Sequence, residues 1–504
     1  MPPYAVWWLL LAFSGPAHGQ GKQRIELETD NRTSQIVPLG ENGLVLFSEA
    51  GKGKLRFVKY GSDLEPAWSV ESPVNPTLDV VQYTRDSSAV YVLLARSKSA
   101  DYQVVKLSTN AGFAVRFDLY SINRFEIAEF KANGNDVYLA GRVKNEPVLM
   151  HMNLTTKQNR VLPIAYKGTA EIQSVEVDPV TGLVNVAVAA RRGKESSMII
   201  KSFAPEGLAV QNVLLPPAEE RSLLTGRLSS LSDSRQLVIG TYGLRTSQYT
   251  QGLFITKLQD NAPEFTKYYS FTDFKNFFKF MNGRQQERME KKIQQKKQRG
   301  DDLKLQYRLL VHDIIEKDGQ YVMVAEAYYP EYRYRNSYNG LYPGYGYGGY
   351  GYGRYGGYSP YGSSYGGNAP VFDGYVYTHA VVAGFDQQGN LLWDNSFEFS
   401  DIKTYSLREK VKVNVQPGHI TLLYSHNGYI KSKVIRGNEV VEGVTNTPIG
   451  TEYEGDKVKR SSTDELEYWY GNYFAAWGYQ KIRNTSDQPV KSNRNVFYVN
   501  KIAF

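Results

Sequence analysis

The sequence predicts an all-β repeat protein, a β-propeller of seven or eight blades, and three features lead to that expectation. Alternating apolar segments return in a fixed order, a 3.6-residue period is missing from them, and turn residues punctuate them about every 45 to 55 positions. Size agrees: 504 residues make about three ordinary domains of roughly 150, or one large repeat architecture. With 41% hydrophobic and 22% charged residues, the chain has the material for a core and is not disordered throughout.

The first element in chain order is residues 1–19, MPPYAVWWLLLAFSGPAHG, in which an apolar run from Ala5 to Phe13 precedes Pro16 and the small-residue site Ala17-His18-Gly19. This reads as a secretory signal peptide cut near Gln20, although no Lys or Arg precedes the apolar run. About nine apolar residues are too few to span a bilayer, which takes roughly 20, and no other stretch approaches that length. With zero Cys in the chain, a lipoprotein anchor behind the leader is excluded. The expected product is therefore exported, periplasmic or cell-surface associated, not lipid-anchored and without a transmembrane segment, with residues 20–504 forming a monomeric propeller.

From Lys22 onward a phrase of strands repeats. GLVLFSEA, KLRFVKY and AWSVES return as AVYVLLAR, YQVVKLS and FAVRFDLY, then as DVYLAGRV, PVLMHMNL and RVLPIAY, and twice more before residue 272. The turn inside each cycle falls near Gly61, Ser108, Asn153, Pro205 and Asp260, with spacings of 47, 45, 52 and 55, and two more lie at Asp386 and Gly437. Four short strands per cycle match a propeller blade, a twisted sheet that must bury both faces against its neighbours. The hairpin NYFAAWGYQKI with NVFYVNKIAF lacks an outer strand, and the orphan QRIELETD (Gln23 to Asp30) can supply it, sealing the ring and removing an exposed edge. Eight blades are favoured, with seven as the alternative.

Two insertions interrupt the cycle. Residues 272–300 form a basic helical insertion, with Asp273 as N-cap, Phe274, Phe277, Phe278 and Met281 at helical spacing, a break at Gly283 and Gly300 past the end. Residues 284–299 hold seven basic and two acidic side chains, which is +5 of the chain's +8. Arg288, Lys291, Lys292, Lys296 and Lys297 are its candidate partner-binding residues, for an acidic protein or an anionic surface. A solvated, tolerated loop is the plainer alternative. Residues 337–367 hold ten Tyr and twelve Gly in 31 positions, expected to be a flexible loop between two strands of one blade. Tyr345, Tyr347, Tyr350, Tyr352 and Tyr355 are candidate aromatic ligand-binding residues there, since phenol rings stack on sugars and cations. A third aromatic group, Tyr468 to Tyr479, is apolar on both strand faces and suits packing between blades.

Little in the sequence points to chemistry. Zero Cys excludes disulfides, thiolate nucleophiles, Cys-ligated zinc and iron–sulfur clusters. His151, His312, His379, His419 and His426 are scattered, with His312 and His379 read as satisfied strand residues. Acidic neighbours such as Asp464-Glu465 are read as solvated loop pairs. No hydrolase, Walker or dinucleotide motif stands in its required context, so no cofactor and no metal are expected. Nucleic acid loses its support because the charge outside 284–299 is close to neutral and aromatics do not interleave with the basic run.

The turn D-x-x-G-x-L-x-W at Asp386 to Trp393 resembles that of the broad superfamily of bacterial propellers. NFFKFM, DDLKLQYRLLVHDIIEKDGQYVMVAEAYYP and YGNYFAAWGYQKIRN resemble uncharacterised exported propeller proteins of Bacteroidetes. The resemblance implies fold and compartment and brings no activity with it. The expected function is a non-catalytic scaffold for protein interaction at the bacterial cell envelope, its partner an envelope protein or glycan. A carbohydrate- or cell-wall-binding propeller is the first alternative. The second is a hydrolase with axial carboxylates or a quinone-dependent dehydrogenase, either of which needs titratable groups gathered around open space on the axis.

Overall fold

A computed structural model of the chain describes residues 23–29, 33–96, 99–164, 168–218, 220–231, 235–245, 247–301, 303–334, 370–486 and 489–504. Residues 1–19 and the Tyr/Gly-rich segment 337–367, with Tyr345, Tyr347, Tyr350, Tyr352 and Tyr355, lie outside the described residues.

Eight antiparallel sheets follow one another along the chain, and the protein is an eight-bladed β-propeller. Blades 1 to 7 occupy residues 35–73, 79–120, 125–162, 169–215, 221–270, 308–398 and 412–448, each beginning with its innermost strand. Blade 8 takes its three inner strands from Asp456–Tyr470, Tyr473–Asn484 and Asn493–Ala503 and its outermost from Arg24–Glu28. Ile25 pairs with Val499 and Leu27 with Phe497, so the start of the described chain closes the ring as the orphan segment predicts. The seven turns read from the sequence join third to fourth strands, and blade 8 has none because its fourth strand comes from the other end.

Eight apolar clusters, one in each gap between neighbouring blades, make up the core. This is why the second and third strands read apolar on both faces: Ala89–Ala95 is buried at every position, odd residues against blade 3 and even residues against blade 1. The Tyr468–Tyr479 group behaves as expected, with Trp477 and Tyr479 packing toward blade 1 and Phe474 and Ala476 toward blade 7. Trp469 donates its indole N–H to the Gly43 carbonyl at 2.8 Å. Gly43 sits at φ +94, and a Cβ there would lie 1.9 Å from the Tyr60 carbonyl oxygen, so only glycine fits. In the D-x-x-G-x-L-x-W turn, Asp386 accepts from the backbone N–H of Gln388 and Asn390, and the Trp393 indole covers Gly384.

The insertion after blade 5 departs from the expected broken helix in its first half. Phe271–Asp273 and Phe277–Phe280 are two short 3-10 turns, and the α-helix, α1, spans Gly283–Gln298. Its N-cap is Asn282, not Asp273, in a capping box with Gln285. The reason is tertiary. Asp394 of blade 6 accepts from the backbone N–H of Lys275 (2.9 Å) and Asn276 (2.7 Å), while the Asn276 amide donates to the Asp394 carbonyl (2.7 Å). Asp394 thus takes the donors that Asp273 would cap, and the Asn276 carbonyl accepts from the Ser396 hydroxyl (2.8 Å) and the Lys279 N–H, a 3-10 bond in place of the i+4 bond of an α-helix. Gly300 does end α1, at φ +69, with its N–H and that of Asp301 on the carbonyls of Lys297 and Lys296.

Candidate functional site

Several innermost strands carry charged side chains toward the axis. In blades 2 to 5 a bulge interrupts each at an equivalent place, between Val80 and Gln82, Ile127 and Glu129, Ile172 and Ser174, and Leu223 and Thr225. Bulges re-aim the side chains that follow them. Around the axis they leave a polar channel of about 340 Å³, walled by blades 1 to 3 and 6 to 8.

Its charges are paired across blade gaps. Lys131 of blade 3 lies 3.6 Å from Glu129 and 3.6 Å from Glu176 of blade 4. Arg227 of blade 5, 1% exposed, reaches Glu176 (3.3 Å) and Asp313 (3.4 Å) and donates to the Val311 carbonyl (2.9 Å). Across the channel Arg408 meets Glu465 (3.4 Å) and Lys412 meets Glu467 (2.9 Å). Burial alone would lower the Lys412 pKa, but the charges of Glu467 and Glu409 outweigh it and hold the ammonium protonated. Burial, with Glu465 and Glu467 added, pushes the Tyr83 hydroxyl well above its usual range.

A buried dyad stands beside the channel. Glu326 is 0% exposed, and its Oε1 accepts from His312 Nε2 (2.9 Å) and the backbone N–H of Lys410 and Val411 (both 2.7 Å). Burial opposes protonation of His312, but Glu409 and the Glu326 hydrogen bond prevail and raise its pKa. The pair Asp464-Glu465, expected to be a solvated loop pair, lies on the inner strand Asp456–Tyr470 instead. Neighbouring strand positions point to opposite faces: Glu465 enters the channel, while Asp464 accepts from Gly428 N–H (2.7 Å) and the Tyr498 hydroxyl (3.0 Å). The titratable groups and open space that an axial site requires are therefore present, in a form where carboxylates and cations largely neutralise one another.

Of the sequence-derived partner-binding residues, Arg288, Lys291 and Lys292 are exposed and have no ion-pair partner among the described residues. Lys296 pairs with Asp301 (3.0 Å) and Lys297 with Asp273 (2.6 Å), so these two tie α1 to its own base. Met289 and Ile293 lean on the cluster between blades 5 and 6. His379 completes the mount: fully buried, it stacks on Phe280 at 3.6 Å and meets Phe277 and Tyr307 edge-on. It is not a satisfied strand residue, because its Nε2 is buried with no hydrogen-bond partner among the described residues.

No family profile matches the chain, and no curated protein does. Solved structures match in fold alone. The β-propeller domain of the trilobed protease from Pyrococcus furiosus aligns at 8% identity and TM-score 0.35, over 84% of this chain and 93% of that one. The polysaccharide lyase Uly1 aligns at 8% and 0.38 over 96% and 99%. A prolyl endopeptidase aligns at 9% and 0.37 over 85% of this chain and 50% of its own. Among the described residues no helix is long and apolar enough to cross a membrane, and no group of three or more His, Asp or Glu is placed to hold a metal ion.

Proposed function

We propose that the chain is an exported, non-catalytic propeller that serves as an interaction scaffold at the bacterial cell envelope, docking an acidic envelope protein on the outer face of α1. The observation that carries this reading is the way α1 is mounted. A merely tolerated insertion has no need of a capping box, a closed C-terminal turn, an Asp394 clamp and a buried Phe271–Phe277 stack at 4.2 Å beneath it. Here all four hold a helix whose outward cations are unspent. At the axis, Glu465 and Glu467 are held by Arg408 and Lys412, so the channel supports the reading of a braced hub better than that of a hydrolase.

The leader-like segment 1–19 and the resemblance to exported propellers of Bacteroidetes support the envelope location. Expressed with that segment intact in a bacterial host, the chain is expected in the periplasmic fraction with its N-terminus near Gln20 by mass spectrometry. Uncleaved protein confined to the cytosol would remove export from the proposal. For docking, the protein is expected to co-sediment with purified bacterial envelopes in a salt-sensitive manner. The triple variant R288Q/K291Q/K292Q should bind at least tenfold more weakly with an unchanged melting temperature, and undiminished binding by it would end the docking half.

A further inference from the structure

Beside the channel, on the face where inner strands begin, lies a second and larger space of about 580 Å³. It is formed by blades 4, 5 and 6, and Leu310 and Leu407 line both it and the channel. Three successive blades each bring an arginine to it, Arg191, Arg245 and Arg308, whereas among the described residues Glu171 is the only carboxylate lining it. Arg308 has no carboxylate partner among the described residues; it donates to Gln248 Oε1 at 2.8 Å. Arg245 pairs with Glu195 at 3.2 Å, but both side chains are about half exposed, so that pair opens at little cost.

The opposite wall is aromatic. Tyr332, Phe372 and Tyr375 pack edge to face along the long hairpin of blade 6, with ring centroids 5.9 and 4.9 Å apart. Tyr405 also lines the space, is 74% exposed and meets no other ring among the described residues. Glu171 is reached by solvent yet enclosed by the walls, and that enclosure raises its pKa against the opposing pull of Arg142.

We propose that this cleft binds acidic oligosaccharides, pyranose chains bearing carboxylate or sulfate groups. Arginine forks match the planar or tripodal anion. Tyrosine faces match the C–H faces of sugar rings. The volume lies within the roughly 300–1,000 Å³ of small-molecule sites. A single-stranded nucleic acid also offers anions and stackable rings, but it asks for a continuous basic track beyond one enclosed space. The site is separate from α1 and does not depend on its role.

The test is calorimetric titration of the whole chain with oligogalacturonate, a sulfated galactan oligomer, neutral maltohexaose and oligothymidylate. Saturable binding of one or both acidic saccharides is expected, and which of them binds tells carboxylate from sulfate. Maltohexaose should bind at least tenfold more weakly. R308Q and the exposed-site variant Y405A should each lose at least tenfold with unchanged melting temperatures, while R288Q/K291Q/K292Q binds as the parent does. No saccharide binding, equal binding of maltohexaose, tighter binding of oligothymidylate, or loss in the helix variant instead of R308Q and Y405A would each overturn the proposal.

Discussion

Deleting residues 24–28 is expected to abolish the cooperative thermal transition of the chain and to turn soluble protein into aggregate. The strand is only five residues long, but it closes blade 8. Without it Asn493–Ala503 becomes an open edge with unpaired backbone groups, a template for pairing with other chains. It also carries half of a buried charge network. Arg24, 5% exposed, donates to Glu26 (2.8 Å), to the carbonyl of Gly450 (2.6 Å), to Asn500 (2.7 Å) and to Gln480 (2.8 Å). Glu26 in turn accepts from Arg494 (2.8 Å), which also grips Asp456 (2.6 Å), a carboxylate with no exposed side-chain surface. Burial would raise the Asp456 pKa, but the hydrogen bonds from Arg494 and Asn484 outweigh it and hold it low. Removing one partner of such a network leaves buried charge uncompensated, which costs about 3–5 kcal/mol. R494M isolates that effect without touching the strand, and chemical unfolding should show a loss of that size at pH 7. The loss should shrink as pH falls through the carboxylate range, because protonation then relieves the stranded Asp456. A deletion variant that melts like the parent would mean the ring does not need its closing strand.

That strand was legible from sequence for a simple reason: a lone alternating segment had no sheet of its own and one blade lacked an edge. The seven turns were legible because Gly, Asn and Asp mark tight turns whatever surrounds them, and the paired middle strands because both their faces are buried. The innermost strands were harder to read. DVVQYTR, TAEIQSVEV and RSLLTGRL mix apolar and charged residues, since one side faces a neighbouring blade and the other faces the channel or the cleft beside it. The channel itself was not legible, because Lys131, Arg227, Arg408 and Glu465 stand far apart in the chain and only ring closure gathers them. The same holds for Arg191, Arg245 and Arg308. The Phe274–Met281 stripe was misread because helical spacing describes side chains, and here Asp394, more than a hundred positions away, claims the backbone. His379 looked ordinary for a related reason: nothing local announces that three aromatic rings will close around it.

His379 should make the fold labile to acid. Burial in an apolar nest of Phe277, Phe280 and Tyr307 lowers its pKa from the usual 6.5 to about 3, with only the Thr378 hydroxyl on Nδ1 at 3.0 Å and no carboxylate to receive a proton. Above pH 6.5 the imidazole is neutral in both folded and unfolded chains and does not contribute to pH dependence. As pH falls from 6.5 toward 3 the unfolded chain takes up a proton that the folded chain refuses. Stability is then lost at about 1.4 kcal/mol per unit, up to about 5 kcal/mol in all. His312, whose pKa is raised, acts in the other window: its contribution is complete below 6.5 and fades as pH rises through its folded value, so the two separate. H379F keeps a ring against Phe280 and removes the titration. Urea unfolding followed by tryptophan fluorescence should place it within about 1 kcal/mol of the parent at pH 8, where the lost Thr378 contact is the main change. At pH 4 it should be the more stable of the two by about 3 kcal/mol, the part of the linkage developed by then. A difference between the two proteins that stays constant from pH 8 to pH 4 would mean the buried ring accepts its proton without opening the nest, and the mount beneath α1 would then be softer than its packing implies.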